Sequence, residues 1–163
     1  MTTIIAGTGH RPEKLLGYNM FGHMNLKTFA FNFLKEMEDI EIISGMSAGW
    51  DLALANAAYN LSIPFTAAVP FDGQDECWFD FERDIYQKLL MDAKKVVIVS
   101  PGPYAMWKYH ARNEWMVNNC DELLALWNGT KGGGTAATIR YATNKRPITN
   151  VWDEFLVFKK TLQ

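Results

Sequence analysis

The residues of this chain that could do chemistry form four groups, and three of them are built around glycine. Gly132, Gly133 and Gly134 stand in a row before Thr135 and a helix-compatible segment. Such a loop offers bare amides and one hydroxyl to a dianionic phosphate, and the helix N-terminus adds the positive end of its dipole. A second block reads Gly7-Thr8-Gly9-His10-Arg11. Its glycines can bring backbone close to a ligand. Arg11 can pair bidentately with phosphate or carboxylate, and His10 can donate a hydrogen bond or carry a proton. A third block runs from Ser44 to Asp51. Gly45, Ser47 and Ala48 are small enough to let a ligand lie against a helix start. Asp51, the only acid there, can bind a ribose hydroxyl pair, act as a base, or simply stabilise the first turn of a helix. The fourth group is less compact. Pro70, Phe71, Asp72 and Gln74 read as a pocket wall, with Gln74 able to read a base edge. Arg112 lies at the border of a helical apolar face made by Tyr109, Met116 and Cys120. It can point over a ligand rim or pair in solvent with Glu114 or Asp121. Glu114 and Glu76 are the other carboxylates within reach of such a pocket.

Other chemistries lack their residues. His10, His23 and His110 are scattered without ligand spacing, so no metal site is expected. The chain carries no nucleophile elbow and no phosphate-loop lysine motif, and nothing calls for a cofactor.

These groups need elements to hold them. Six short runs rich in Ile, Val, Leu and Ala read as strands buried on both faces: Thr3–Ala6, Ile40–Ser44, Phe65–Val69, Val96–Val99, Leu123–Trp127 and Pro147–Val151. Between them, apolar residues at helical spacing predict helices over Leu26–Met37, Gly49–Tyr59, Glu76–Met91, Tyr109–Cys120 and Thr135–Ala142. Strict alternation predicts an α/β fold, a doubly wound and mainly parallel sheet with helices on both faces and right-handed crossovers. The tail Asp153–Gln163 is apolar enough to pack on the body as a helix or an edge element. In a parallel sheet, ligands collect outside the strand carboxyl ends. The segments Gly7–Arg11, Gly45–Asp51, Pro70–Gln74, Ser100–Tyr104 and Asn128–Thr135 should therefore converge on one rim.

Bulk composition agrees with one domain over residues 1–163, with 48% apolar and 21% charged residues. A net charge of −2 without basic runs argues against nucleic acid as a partner. Two cysteines, Cys77 and Cys120, suggest a reducing compartment, and no run is long enough to cross a membrane. A cytoplasmic protein is expected. The aromatic content, 13%, is compatible with a homo-oligomer.

The blocks Gly7–Pro12, Ser44–Asp51, Pro70–Gln74, Arg112–Asp121 and Gly132–Thr135, in this order, resemble the SLOG superfamily of Rossmann-like proteins. That superfamily includes YpsA-like proteins, the DNA-processing protein DprA and the LOG phosphoribohydrolases. The resemblance spans Thr2 to Ile148 and is strongest toward the YpsA-like and DprA-like branch. It implies a nucleotide or nucleotide-derived ligand, such as an ADP-ribose derivative, held by Gly132–Thr135 and Gly7–Arg11. Asp51 and Gln74 would then hold ribose or base in a sensor or sequestering module. The LOG signature carries a glutamate three residues after the Gly-Thr pair, and here that position is Thr138. The partner arginine motif matches at Arg112 and Met116 but has Asn113 where lysine is usual. Threonine cannot stabilise an oxocarbenium-like centre as a carboxylate can. Hydrolysis of nucleoside 5′-monophosphates would need Asp51 or Glu114 to supply the missing carboxylate beside Arg112. That N-glycosidase reading and a DprA-like single-strand DNA reading remain as alternatives to simple binding.

Overall fold

The computed structural model describes residues 1–163. Its six strands form one sheet, every pairing parallel, in the order β4-β3-β2-β1-β5-β6. The strands are β1 (Thr3–Gly9), β2 (Ile40–Ser44), β3 (Phe65–Val69), β4 (Lys95–Ile98), β5 (Glu122–Leu126) and β6 (Ile148–Asn150). The helices are α1 (Met20–Leu34), α2 (Trp50–Asn60), α3 (Asp80–Asp92), α4 (Trp107–Asn118), α5 (Gly134–Ala142) and α6 (Trp152–Lys160). This is the doubly wound, Rossmann-like arrangement expected from the alternation. From β1 the chain winds outward through β2 and β3 to β4, then returns to lay β5 on the other side of β1. The crevice between β1 and β5 is therefore the point where winding direction reverses, the usual ligand position in such sheets.

One face carries the larger core, in which α1, α2, α3 and α6 contribute Leu26, Phe29, Trp50, Leu54, Tyr86, Leu89 and Phe155. The other face is thinner: Met116 and Val117 of α4 and Ala142 of α5 pack over Ala6, Ile43 and Leu123. Helix α2 is almost wholly buried because alanine lets it lie between the sheet and α1.

Several details differ from the sequence reading. Strand β1 runs on to Gly9 because Gly7, Thr8 and Gly9 pair with Leu124, Ala125 and Leu126 of β5. Ladder bonding in a central strand outweighs the poor strand propensity of glycine. Helix α1 begins at Met20, six residues earlier than expected, where the Asn19 side chain accepts from the Gly22 amide at 2.6 Å. Strands β4 and β6 are not buried on both faces: they are the two edge strands, with Val96 and Ile98 of β4 and Thr149 and Asn150 of β6 exposed. The tail is a helix, α6, anchored by the fully buried Phe155.

Candidate functional site

Two cavities adjoin at the carboxyl rim of the sheet. The first, of about 630 Å³, is polar. Its lining includes Gly7, Thr8, Gly9, His10 and Arg11 from β1 and its exit, Ser47 and Asp51 from the segment after β2, Arg112 from α4, and Gly132, Gly133, Gly134 and Thr135 at the start of α5. Four cations (Arg11, Lys14, Arg112 and Arg140) face two acids, Glu13 and Asp51. The second, of about 550 Å³, has an aromatic wall containing Tyr18, Phe71, Trp78, Phe79, Tyr104 and Tyr109, and it takes in Ala48 and Gln74. Arg11 and Tyr109 line both and form the partition, with the Arg11 guanidinium 5.6 Å from the centre of the Tyr109 ring.

The chemistry of the polar chamber centres on Arg112 and Asp51. Arg112 is not the solvated, acid-paired residue that a border position allows. It is 3% exposed, and its Nη1 donates to the carbonyls of Gly45 and, at 3.1 Å, Ala68. Nε donates to the Asn113 side chain at 2.8 Å. Asp51 sits on the other side of Gly45: a Cβ there would lie 2.8 Å from both Arg112 Cζ and Asp51 Oδ2. Gly45 is thus the gap that lets the guanidinium and the carboxylate approach. Burial pushes the Asp51 carboxyl up to about 6, against the attraction of Arg112 and then Arg11. Its Oδ1 is buried without a hydrogen-bond partner.

His10 is also buried. Its Nε2 accepts from the Asn128 backbone amide at 2.9 Å, so the neutral ring must carry its proton on Nδ1. Burial lowers its pKa, more than the contact with Asn128 restores it. The ring at neutral pH is therefore an uncharged N–H donor rather than a cation.

The glycines divide into two kinds. A Cβ at Gly9 would fall 2.5–2.7 Å from Trp50 side-chain atoms, and one at Gly7 would fall 2.6 Å from Leu54. These two are small because α2 packs against them, a constraint of the core that the sequence reading assigned to ligand approach. At Gly132, Gly133 and Gly134 an added Cβ would meet nothing within 4 Å. Nothing in the protein's packing requires that run to be bare, and Gly133, at φ +95°, caps α5 in a conformation that favours glycine.

Not every residue singled out in the sequence joins the site. Glu114 is exposed on α4 and lines neither cavity. Pro70 is buried at the end of β3 and Gly45 acts behind Arg112, so neither lines a chamber wall. Thr138 turns its hydroxyl back onto its own helix, donating to Gly134 O at 2.9 Å. Of the aromatic wall, sequence reasoning named Phe71 and put Tyr104 on the rim; it missed Tyr18, Trp78, Phe79 and the role of Tyr109, along with Lys14 and Arg140. The wall comes from four separate segments, and no local pattern joins them.

The family model of the YspA SLOG family matches residues 8–160. The chain belongs to that family. Similar proteins include a UPF0398 protein of Bacillus cereus strain B4264, 24% identical over 168 residues and covering 95% of this chain and 90% of its own. Another, of Bacillus cereus strain G9842, is 25% identical over 144 residues, covering 85% and 76%. Among solved structures, the single-stranded DNA-binding DNA processing protein A of Helicobacter pylori superposes with a TM-score of 0.60 at 15% identity, over 97% of this chain and 73% of its own. The structural-genomics target TM1055 superposes with a TM-score of 0.58 at 13% identity, over 90% and 72%. At such identities the superpositions establish a shared Rossmann-like fold. No helix is long and apolar enough to cross a membrane.

Proposed function

We propose that this SLOG protein binds a nucleoside phosphate, or a nucleotide-derived ligand of the ADP-ribose type, across the two chambers. The phosphate would lie in the polar chamber, against the Gly132–Thr135 amides, Arg11 and the His10 ring N–H. The nucleobase would lie in the aromatic chamber. The observation that carries this reading is the shared cavity: residues as distant in sequence as Gly7, Asp51, Arg112 and Thr135 line one basic hollow that adjoins an aromatic one. A guest with an anionic end and a flat apolar end matches both halves.

Isothermal titration with nucleoside 5′-monophosphates and the matching nucleosides tests it. The monophosphates should bind and the nucleosides should bind much more weakly. Equal binding of both, or tight binding of a single-stranded oligonucleotide with inert mononucleotides, would overturn the reading.

A second reading, N-glycosidase activity, is favoured by one observation: the unpartnered Asp51 oxygen on a carboxyl pushed up to about 6. Such a group can exchange a proton near neutral pH. Water would replace the base at C1′, giving ribose 5-phosphate and free base. Chromatographic detection of free base, lost in Asp51→Asn, separates turnover from binding alone.

A further inference from the structure

The aromatic chamber carries two buried polar side chains, and both present acceptors. Gln74 is 5% exposed, and its Nε2 donates to Gly45 O at 3.3 Å. The same carbonyl accepts from Arg112. A carbonyl oxygen can only accept, so a flipped amide would set oxygen against oxygen. The orientation is thereby fixed, and Oε1 is left buried without a partner. Glu82, in the first turn of α3, lines the same chamber and is 3% exposed. Loss of water is what shifts its carboxyl upward, and no cation or donor of the chain offsets it. Buried acceptors are satisfied as a rule, by protein, water or a bound guest. Tyr18, Phe71, Trp78, Tyr104 and Tyr109 supply the wall against which a flat ring can stack.

We infer that this chamber selects purines with an amino group on their edge, adenine and guanine, over hypoxanthine, which has none, with Gln74 Oε1 and the Glu82 carboxyl as the reading groups. The inference rests on the assignment of phosphate and base to the two chambers made above. An amino group gives these oxygens the hydrogens they lack. Hypoxanthine offers only one hydrogen, on N1, and its oxo oxygen can only accept, so one of the two reading groups stays unmet, and sites built on buried polar groups reject such mismatches strongly.

The test is titration of the full-length protein at pH 8 with AMP, GMP, IMP and ribose 5-phosphate. AMP and GMP should each bind at least ~10-fold more tightly than IMP, and Gln74→Leu should reduce that ratio to about twofold or less. Glu82→Gln should narrow it independently, which guards against a folding defect in the first variant. Melting temperatures establish that both variants are folded. Equal affinity of the wild type for all three nucleotides, or a preference unchanged in both variants, overturns the inference while leaving the phosphate assignment intact. If neither ribose 5-phosphate nor any nucleotide binds, the assignment falls and the inference falls with it.

Discussion

Replacing Asp51 by asparagine should make the protein more stable at neutral pH, with a gain that vanishes in acid. Burial raises the folded carboxyl from 3.8 to about 6. In the unfolded chain the same group ionises near its ordinary value. Between the two values the folded protein keeps a proton that the unfolded chain has released. Stability therefore falls as pH rises through this window and stays lowered above it. A rise of roughly two units corresponds to ~3 kcal/mol. Domains of this kind have about 5–15 kcal/mol in total, so the penalty is a large share. At ~2–4 °C per kcal/mol for a chain of this length, asparagine should raise the melting temperature by roughly 6–12 °C at pH 7.5. Urea unfolding of wild type and variant, followed by tryptophan fluorescence at steps from pH 4 to 7.5, measures it. Subtracting one curve from the other cancels the remaining carboxylates. The difference should move toward the variant by ~2–3 kcal/mol across the window and then stay level. A difference that does not vary with pH refutes the reasoning. So does one that moves toward the wild type, which would mean that Arg112 and Arg11 outweigh burial. The same variant should bind nucleotide more weakly or lose turnover, so the ionised carboxyl would be a functional group held at a cost in stability.

Four further outcomes follow from the geometry. Gly9→Ala should lower unfolding free energy by ~1–3 kcal/mol, because its methyl would press on Trp50. Gly134→Ala meets nothing and should leave the melting temperature within about 2 °C while weakening nucleotide binding several-fold, since only a guest would feel the methyl. Arg112→Met should cost at least ~2 kcal/mol, because it strips the buried Asp51 carboxyl of its main cation and removes the Arg112 donors from the Gly45 and Ala68 carbonyls. It should also shift the Asp51 window to higher pH, read from the same subtraction of unfolding curves. Burial holds His23 down at about 4, so the folded chain refuses a proton that the unfolded chain takes up below 6.5. Stability is therefore lost as pH falls from 6.5 toward 4, opposite in sign to Asp51, and His23→Gln should flatten that loss by up to ~3 kcal/mol in the same titration.

The strand-helix alternation was legible because a parallel sheet buried on both faces needs unbroken apolar runs. Four of the six strands, β1, β2, β3 and β5, lie inside the sheet, and their runs told the truth, whereas β6, read as buried, is an edge strand with Thr149 and Asn150 exposed. Strand β4 misled because Val96 and Ile98 look like core but stand at an edge. The start of α1 was hidden by Gly22 within its first turn. That glycine is there because a Cβ would lie 2.5 Å from the Leu16 carbonyl, a contact no local pattern announces. The polar chamber was largely legible, since strand exits in a parallel sheet share one rim. The aromatic chamber was legible only in part, at Phe71 and Gln74, read as a pocket wall; Tyr18, Trp78, Tyr104 and Tyr109 join them by packing alone. Gly7 and Gly9 show a different limit. Sequence identifies a need for smallness but not which neighbour imposes it, and here it is α2.

The carbonyl of Gly45 accepts from Arg112 on α4 and from Gln74 beyond β3. One oxygen atom thus rivets together two walls that belong to opposite layers of the molecule. Neither wall can swing outward without abandoning that shared acceptor, so the span between the basic hollow and the aromatic one is set when the chain folds. A guest that bridges them meets a gauge of fixed length, with little of the ordering cost that a closing cleft would exact. Ligands whose charged end and ring stand too near or too far apart would be refused by distance alone, before any edge of the ring is read.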